Sequence, residues 1–406
     1  MAIGSFFVPI FRTKVVIISK KIAIFARYLY HDIGMTKRIV FIIAFLLLSS
    51  KAFGESKLAI PERDTLPTKS ERLYLDLAFG FDFDNTEYLG SNLGVSETLF
   101  GISLAPSLRY EWNEKHSLAV GASAQKWFGS KRFVDDIKLV AYYKFKSPRF
   151  TALTGLFPRN ELIGDYSEVF FTSIWKTKNN LVQGATLQYT DKFGFAELAI
   201  DWNGMYSAAT REQFRILFSG EGRFAKVMYA GATAVMQHYS NRADFRFNAV
   251  DHITINPYLG VGFKAFFDFD IRLGYLLSLQ QDRMANEGWH TPMGGELTFR
   301  MSRWGVFISN NLYVGKNLQP LYHSVGMEGT IYGPDLYASD PFYGTTTGIY
   351  NRTGIGYMQT FWKERINVKA EMVLKTTGKR VYTQQIVSLG VNLSPKLYDK
   401  ANRKTK

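Results

Sequence analysis

Arg72-Leu-Tyr-Leu-Asp-Leu-Ala-Phe-Gly-Phe-Asp-Phe-Asp84 is the stretch on which the fold turns. Leu73, Leu75, Leu77, Phe79, Phe81 and Phe83 share one parity, and Tyr74, Asp76, Ala78, Gly80 and Asp82 the other. Successive side chains of an extended chain point to opposite faces, so a period of two predicts a strand with one uncharged apolar face and one polar face. The same division recurs further along. Ile137, Leu139, Ala141, Tyr143 and Phe145 oppose Lys138, Val140, Tyr142, Lys144 and Lys146. Phe269, Ile271, Leu273, Tyr275 and Leu277 oppose Asp270, Arg272, Gly274 and Ser278, and Ile366, Val368, Ala370, Met372 and Leu374 oppose Asn367, Lys369, Glu371 and Lys375.

A soluble β-sandwich alternates as well, so strand length and connections decide. The runs extend over about 10 to 15 residues, more than a usual sandwich strand and enough to cross a bilayer at a tilt. Tight links at Asn113-Glu-Lys-His116, Ser147-Pro-Arg149, Asp191-Lys-Phe-Gly194, Ser302-Arg-Trp304 and Trp362-Lys-Glu-Arg365 alternate with mostly longer ones, among them 85–97, 159–179, 203–212, 239–251 and 314–345. Short turns at one rim and long loops at the other predict an all-β fold, a transmembrane antiparallel up-and-down β-barrel. The spacing gives about sixteen strands, with about fourteen to eighteen also fitting it, and single-chain bacterial barrels use even numbers. Within 159–179, Tyr166 to Ser173 fits a strand as well as a loop.

Composition agrees with that reading. Aromatic residues make up 16% of the chain, with 33 Phe and 23 Tyr, while the charged fraction is an ordinary 21%. Met35-Thr-Lys-Arg38, the apolar run Ile39 to Leu48 and the small-residue stretch ending at Gly54 have the form of a signal peptide and are too short for a membrane anchor. The expected organisation is a leader extension or misassigned start over 1–34, a signal peptide over 35–54, a periplasmic segment over 55–70, the barrel over 71–395 and a basic periplasmic tail over 396–406. Without residues 1–54 the net charge falls from +14 to +7, so much of the basicity belongs to targeting and no nucleic-acid partner is expected. The chain has no cysteine, His116, His290 and His323 stand isolated, and no P-loop or dinucleotide fingerprint occurs, so neither a metal nor a cofactor is expected.

Leader, strands and alternating links together resemble the bacterial porin-type barrels over residues 70 to 395. The resemblance is architectural. It implies a bacterial outer-membrane location, outer-membrane lipids as surroundings, passive passage of small polar solutes as the function, and a trimer as one oligomeric option. Residues of inward parity would then line the channel: Asp76, Lys138, Lys144, Glu197, Asp201, Arg215, Asp268, Asp270, Arg272, Glu296, Arg300, Lys369 and Glu371, with Arg211 beside them at the 203–212 link. Acids opposite bases across a lumen set up a transverse field that orients polar solutes; the same charges also serve as wall salt bridges that hold register. Pairing around the 203–212 link is expected to bring Asp201 and Glu197 near Arg211 and Arg215. General porins fold their third long loop into the lumen, which by resemblance makes the 159–179 link, with Glu161, Asp165 and Glu168, a constriction candidate, although no residue spacing demands the inward fold. The longer 314–345 loop, rich in Gly, Tyr, Asp and Pro, suits an external lid or surface contact.

A second motif points to enzyme chemistry. His238-Tyr239-Ser240-Asn241 is similar to the His-x-Ser-Asn signature of outer-membrane phospholipases and lipid A deacylases. That resemblance implies His238 as catalytic base and Ser240 as nucleophile. Residues two apart on a strand point the same way, so the pair is geometrically sensible. Asn248, Asp251 and His252 are candidates for the group that orients the histidine. Local alternation does not fix which way His238 faces: a lipid-facing pair suits an esterase, a lumenal pair a structural role. An accessory barrel of a secretion or surface-assembly complex, docking through its loops, is a third reading.

Overall fold

The computed structural model describes residues 70–400 except 89–95, 241, 244–248, 286–287, 327–330, 345–347 and 379. The segments read as leader extension and signal peptide, residues 55–69, Asn248 and the tail residues 401–406 lie outside the described residues.

Among the described residues, seventeen strands form one antiparallel sheet. The first eight are β1 (Glu71–Glu87), β2 (Glu97–Trp112), β3 (His116–Trp127), β4 (Asp136–Lys146), β5 (Phe150–Pro158), β6 (Leu181–Thr190), β7 (Gly194–Gly204) and β8 (Gln213–Arg223). Then follow β9 (Met228–Tyr239), β10 (Val250–Lys264), β11 (Asp268–Asp282), β12 (Met293–Arg303), β13 (Val306–Gly315), β14 (Ile349–Phe361), β15 (Ile366–Thr377), β16 (Arg380–Leu393) and β17 (Lys396–Lys400). Each strand from β1 to β16 pairs with its sequence neighbours, and β1 also pairs with β16 from Leu77↔Leu393 to Glu87↔Thr383, which closes a sixteen-strand barrel. The expected fold class and strand number are therefore observed.

One boundary moves. Lys396–Lys400, expected as the start of a tail, forms β17 and continues the last strand along β1 from Glu71↔Lys400 to Tyr74↔Lys396. Pro395 interrupts the ladder because proline has no N–H to donate, and the register shifts between Leu73 and Tyr74 opposite it. The Pro395 carbonyl still accepts from Leu75 N–H at 3.0 Å.

The wall is polar inside and apolar outside. Leu104, Leu118, Leu187, Leu259 and Leu273 point outward and are 48–64% exposed, whereas Ser123, Glu197, Ser219, Thr233 and Ser278 of the opposite parity are buried. A protein dissolved in water would reverse that polarity; a closed barrel in hydrocarbon requires it, since closure leaves no unpaired sheet edge. The tight turns use left-handed backbone at Asn113 and Glu114, at Trp304 with Gly305, and through Trp362, Lys363 and Glu364, as short hairpin links of two to four residues between twisted strands demand.

Candidate functional site

Two long loops enter the lumen. The segment between β5 and β6 carries the short helix α1 (Ser173–Lys178), capped by Thr172 Oγ1 accepting from Trp175 N–H at 3.1 Å. Glu197 on the lumenal face of β7 holds this loop: its carboxylate accepts from Ile163 N–H at 2.7 Å, Gly164 N–H at 3.1 Å and the Tyr166 hydroxyl at 2.8 Å. Burial, with Glu197 beside it, raises the Tyr166 phenol well above its ordinary range. Across the barrel, Asp165 pairs with Arg272 at 2.8 Å, and Glu161 pairs with Lys144 at 2.6 Å. Tyr166 to Ser173 is turn and helix start rather than a strand.

The loop between β13 and β14, expected as an external lid, also turns inward. Phe342 and Tyr343 are fully buried against Tyr88, Tyr350 and Tyr382. Asp340, 0% exposed, pairs with Lys375 of β15 at 2.6 Å. The two loops meet each other through Thr172 N–H to the Ala338 carbonyl and Asp340 N–H to the Glu168 carbonyl. A carboxylate seeking the buried Lys375 and an aromatic cluster seeking an apolar wall draw this loop in, and neither leaves a periodic mark in sequence. Above the two loops a cavity of about 1310 Å³ remains, lined by Trp175, Arg211, Arg215, Tyr239, Tyr322 and Lys375 among others.

The strand residues expected on the lumenal face have lumenal parity in the ladders, but their partners differ from expectation. Asp201 stands opposite Arg215 in register, yet its carboxylate pairs with Arg159 of the inserted loop at 2.6 Å. Glu197 stands opposite Ser219 and serves loop amides, not an arginine. Arg211 lies on the β7–β8 loop with its guanidinium over the Tyr239 ring, and its Nε donates to the Ser240 carbonyl at 2.7 Å. Arg300 sits over Phe307, Asp270 accepts from the Tyr229 hydroxyl at 2.7 Å, and Glu371 takes Arg352 and Lys369. Glu296 accepts from Asn256 and Asn311, each at 2.7 Å, Lys138 donates to the Lys178 carbonyl, and Asp76 pairs with Arg109. Asp268 lies near the short-turn rim beside Lys264.

The outer face holds a different arrangement. Strand register sets Trp202, Phe214, His238 and Asp251 opposite one another on β7, β8, β9 and β10, with Gln281 of β11 completing the row. Directly opposed residues share a face, and Trp202 is 40% exposed while its neighbour Asp201 points into the lumen, so the row faces outward. Trp202 stacks on Phe214 and Phe214 on His238, with ring centroids 4.9 and 5.1 Å apart. His238 Nδ1 lies 2.8 Å from Asp251 Oδ1, and Asp251 is 0% exposed. A neutral imidazole therefore donates Nδ1–H to the carboxylate, which leaves the Nε2 lone pair as the basic site. Ser240 N–H donates to the Glu212 carbonyl at 2.8 Å, which continues the β8–β9 ladder by one residue, and period two places Ser240 on the face of His238.

Of the candidates expected beside His238, Asp251 is in contact with its ring, and Asn248 lies outside the described residues. His252 has the opposite parity, bonds to Thr254 at 2.9 Å and packs edge-on against Tyr337 inside the barrel. Sequence reasoning missed Arg283, whose Nε and Nη2 lie 2.7 and 2.6 Å from Asp251 Oδ2. Its shared parity with Leu277 and Leu279 was the available signal. Among the described residues no cluster of metal-ligating side chains occurs.

Comparison with known proteins adds a family. The barrel is similar to OpdL of Pseudomonas aeruginosa, at 11% identity and a TM-score of 0.44 over 81% of this chain and 99% of that one. It is similar to OprD of the same organism, at 8% identity and 0.43 over 80% and 94%. A loop-deletion form of OmpT from Vibrio cholerae gives 10% identity and 0.46 over 80% and 100%. Among curated protein sequences there is no match. The profile of the lipid A 3'-O-deacylase-type family matches residues 65–355, well over half of the chain. On that match, the chain belongs to the lipid A 3'-O-deacylase-type family.

Proposed function

We propose that this protein is an outer-membrane lipid esterase that releases an acyl chain from lipid A or a phospholipid, with Ser240 as nucleophile, His238 as general base and Asp251 as the carboxylate that orients the imidazole. The observation that carries the reading is the outward His238–Asp251 pair. An ester buried at the membrane interface reaches the barrel from outside, so the base must face lipid. Ser240 Oγ attacks the ester carbonyl as Nε2 of His238 takes its proton, and the imidazolium, held by Asp251, returns that proton to the leaving alkoxide. Water, activated by the same imidazole, then cleaves the acyl-serine and restores both groups. The stacked Trp202 and Phe214 rings give the site an apolar flank suited to an acyl chain.

The test is acyl release from lipid A and from phospholipid in mixed micelles by the folded chain. Wild type is expected to hydrolyse one of them, and Ser240→Ala to abolish that release while the barrel stays heat-modifiable. Hydrolysis unchanged by Ser240→Ala, or absent in wild type, rejects the reading.

A channel for small polar solutes is the second reading, favoured by the sixteen-strand circumference and the cavity of about 1310 Å³ at the loop end. The two inserted loops stand against a wide free path. Stable open levels in planar bilayers from the wild-type chain would support it; a silent barrel would reject it.

A further inference from the structure

Asp251 is shared. Its Oδ1 faces His238 Nδ1 at 2.8 Å, and its Oδ2 receives Nε and Nη2 of Arg283 at 2.7 and 2.6 Å. Arg283 follows the last residue of β11, and its N–H donates to the Ala249 carbonyl at 2.9 Å, so it extends the β10–β11 ladder and projects outward beside Asp251. The carboxylate is fully buried while the guanidinium is 46% exposed, on a face whose next residues toward the bilayer include Leu277, Leu279, Ile253 and Ile255. A carboxylate buried at a lipid-facing surface is costly unless a cation and hydrogen bonds compensate it. Two nitrogens of the arginine fork converge on Oδ2, which occupies that oxygen and leaves Oδ1 to His238.

We propose that Arg283 is a positioning residue of the esterase site: it pins Asp251 as a carboxylate with Oδ1 aimed at His238, and so sets the orientation and basicity of the catalytic imidazole. The inference rests on the esterase reading above. Charged groups around the pair include Arg283 from β11 and, beyond the end of β9, Arg211 at the Ser240 carbonyl and Glu212 opposite Ser240; Phe214 of β8 and Gln281 of β11, opposite the pair in register, carry no charge. Loss of Arg283 leaves the Asp251 charge facing His238 uncompensated. Oδ1 is then no longer held toward Nδ1, and the imidazole loses its fixed orientation.

The experiment compares wild type, Arg283→Gln and Arg283→Lys, each folded in detergent, by initial rates across pH on the lipid that wild type hydrolyses. Arg283→Gln is expected to lower kcat about tenfold or more with little change in KM, and to displace the acidic limb of the profile. Arg283→Lys, which keeps the charge without the fork, is expected to restore the limb and only part of kcat. A loss confined to KM with the limb unmoved makes Arg283 a substrate contact and overturns the proposal, as does a wild-type profile in Arg283→Gln. Titration of the His238 imidazole by NMR, assigned through His238→Gln, separates the two claims. If wild type hydrolyses nothing, the esterase reading fails, and an unshifted His238 in Arg283→Gln overturns the positioning role independently.

Discussion

Asp340→Ala should loosen the lumenal plug without unfolding the barrel. The Asp340 carboxylate is fully buried and accepts from Lys375 Nζ at 2.6 Å, from Phe342 N–H at 3.0 Å and from the Tyr350 hydroxyl at 3.3 Å. Lys375 itself is 2% exposed, so removing the carboxylate strands a buried ammonium, at a cost of about 3–5 kcal/mol. The β14–β15–β16 ladders do not depend on this pair, and the less costly response is withdrawal of residues 316–348, which lets water reach Lys375. Withdrawal exposes Phe342 and Tyr343, and burying one such ring stabilises by roughly 1.5–3 kcal/mol. The two energies are of similar size, so the variant should populate both states, an increase of about 10² to 10⁴ in the withdrawn fraction. Limited proteolysis of the folded variant should cut within 316–348, and planar bilayers should show openings absent from wild type. Asp340→Leu with Lys375→Met, which replaces the pair by apolar side chains, should regain most of the protection. A single variant as resistant and as quiet as wild type would refute the argument that this ion pair anchors the loop.

Other expectations follow from the same geometry. Asp251→Asn keeps the shape of the site but removes the charge that holds the imidazole in its Nδ1–H form, and should lower kcat by about 10³–10⁴ in the acyl-release assay with the barrel still heat-modifiable. Leu273→Arg, on the outer face near the middle of β11, should destabilise the barrel by about 2–4 kcal/mol in liposome unfolding by urea, whereas the lumenal Thr298→Asn nearby should cost far less. Trp202→Ala removes the far ring of the stack on His238 and should raise KM more than it lowers kcat, read on the same lipid substrate.

The barrel was legible in sequence because its two determinants are local: parity along each strand and the alternation of turn lengths. The continuation of the seam by β17 was not, since the pairing of Lys396–Lys400 with Glu71 to Tyr74 joins residues more than three hundred positions apart across a proline. The inserted loops were hidden for a related reason. Asp340 finds Lys375, Glu197 finds the amides of Ile163 and Gly164, and Asp165 finds Arg272, and none of these pairs has a spacing that repeats. The outer site was half visible. The His-x-Ser pattern drew attention to His238 and Ser240, but in β9 the small residues Ala230, Gly231, Ala232 and Ala234 leave only Thr233 and Gln237 to mark the polar face opposite His238. The answer lay on the next strand. Asp251 shares parity with Ile253, Ile255 and Leu259, and Arg283 with Leu277 and Leu279, which makes both of them charges on the face that elsewhere meets hydrocarbon. Such charges are expensive where the surroundings are lipid. An acid, a base and a histidine drawn together on that face are what the proposed esterase site needs and what a wall built for stability alone would avoid.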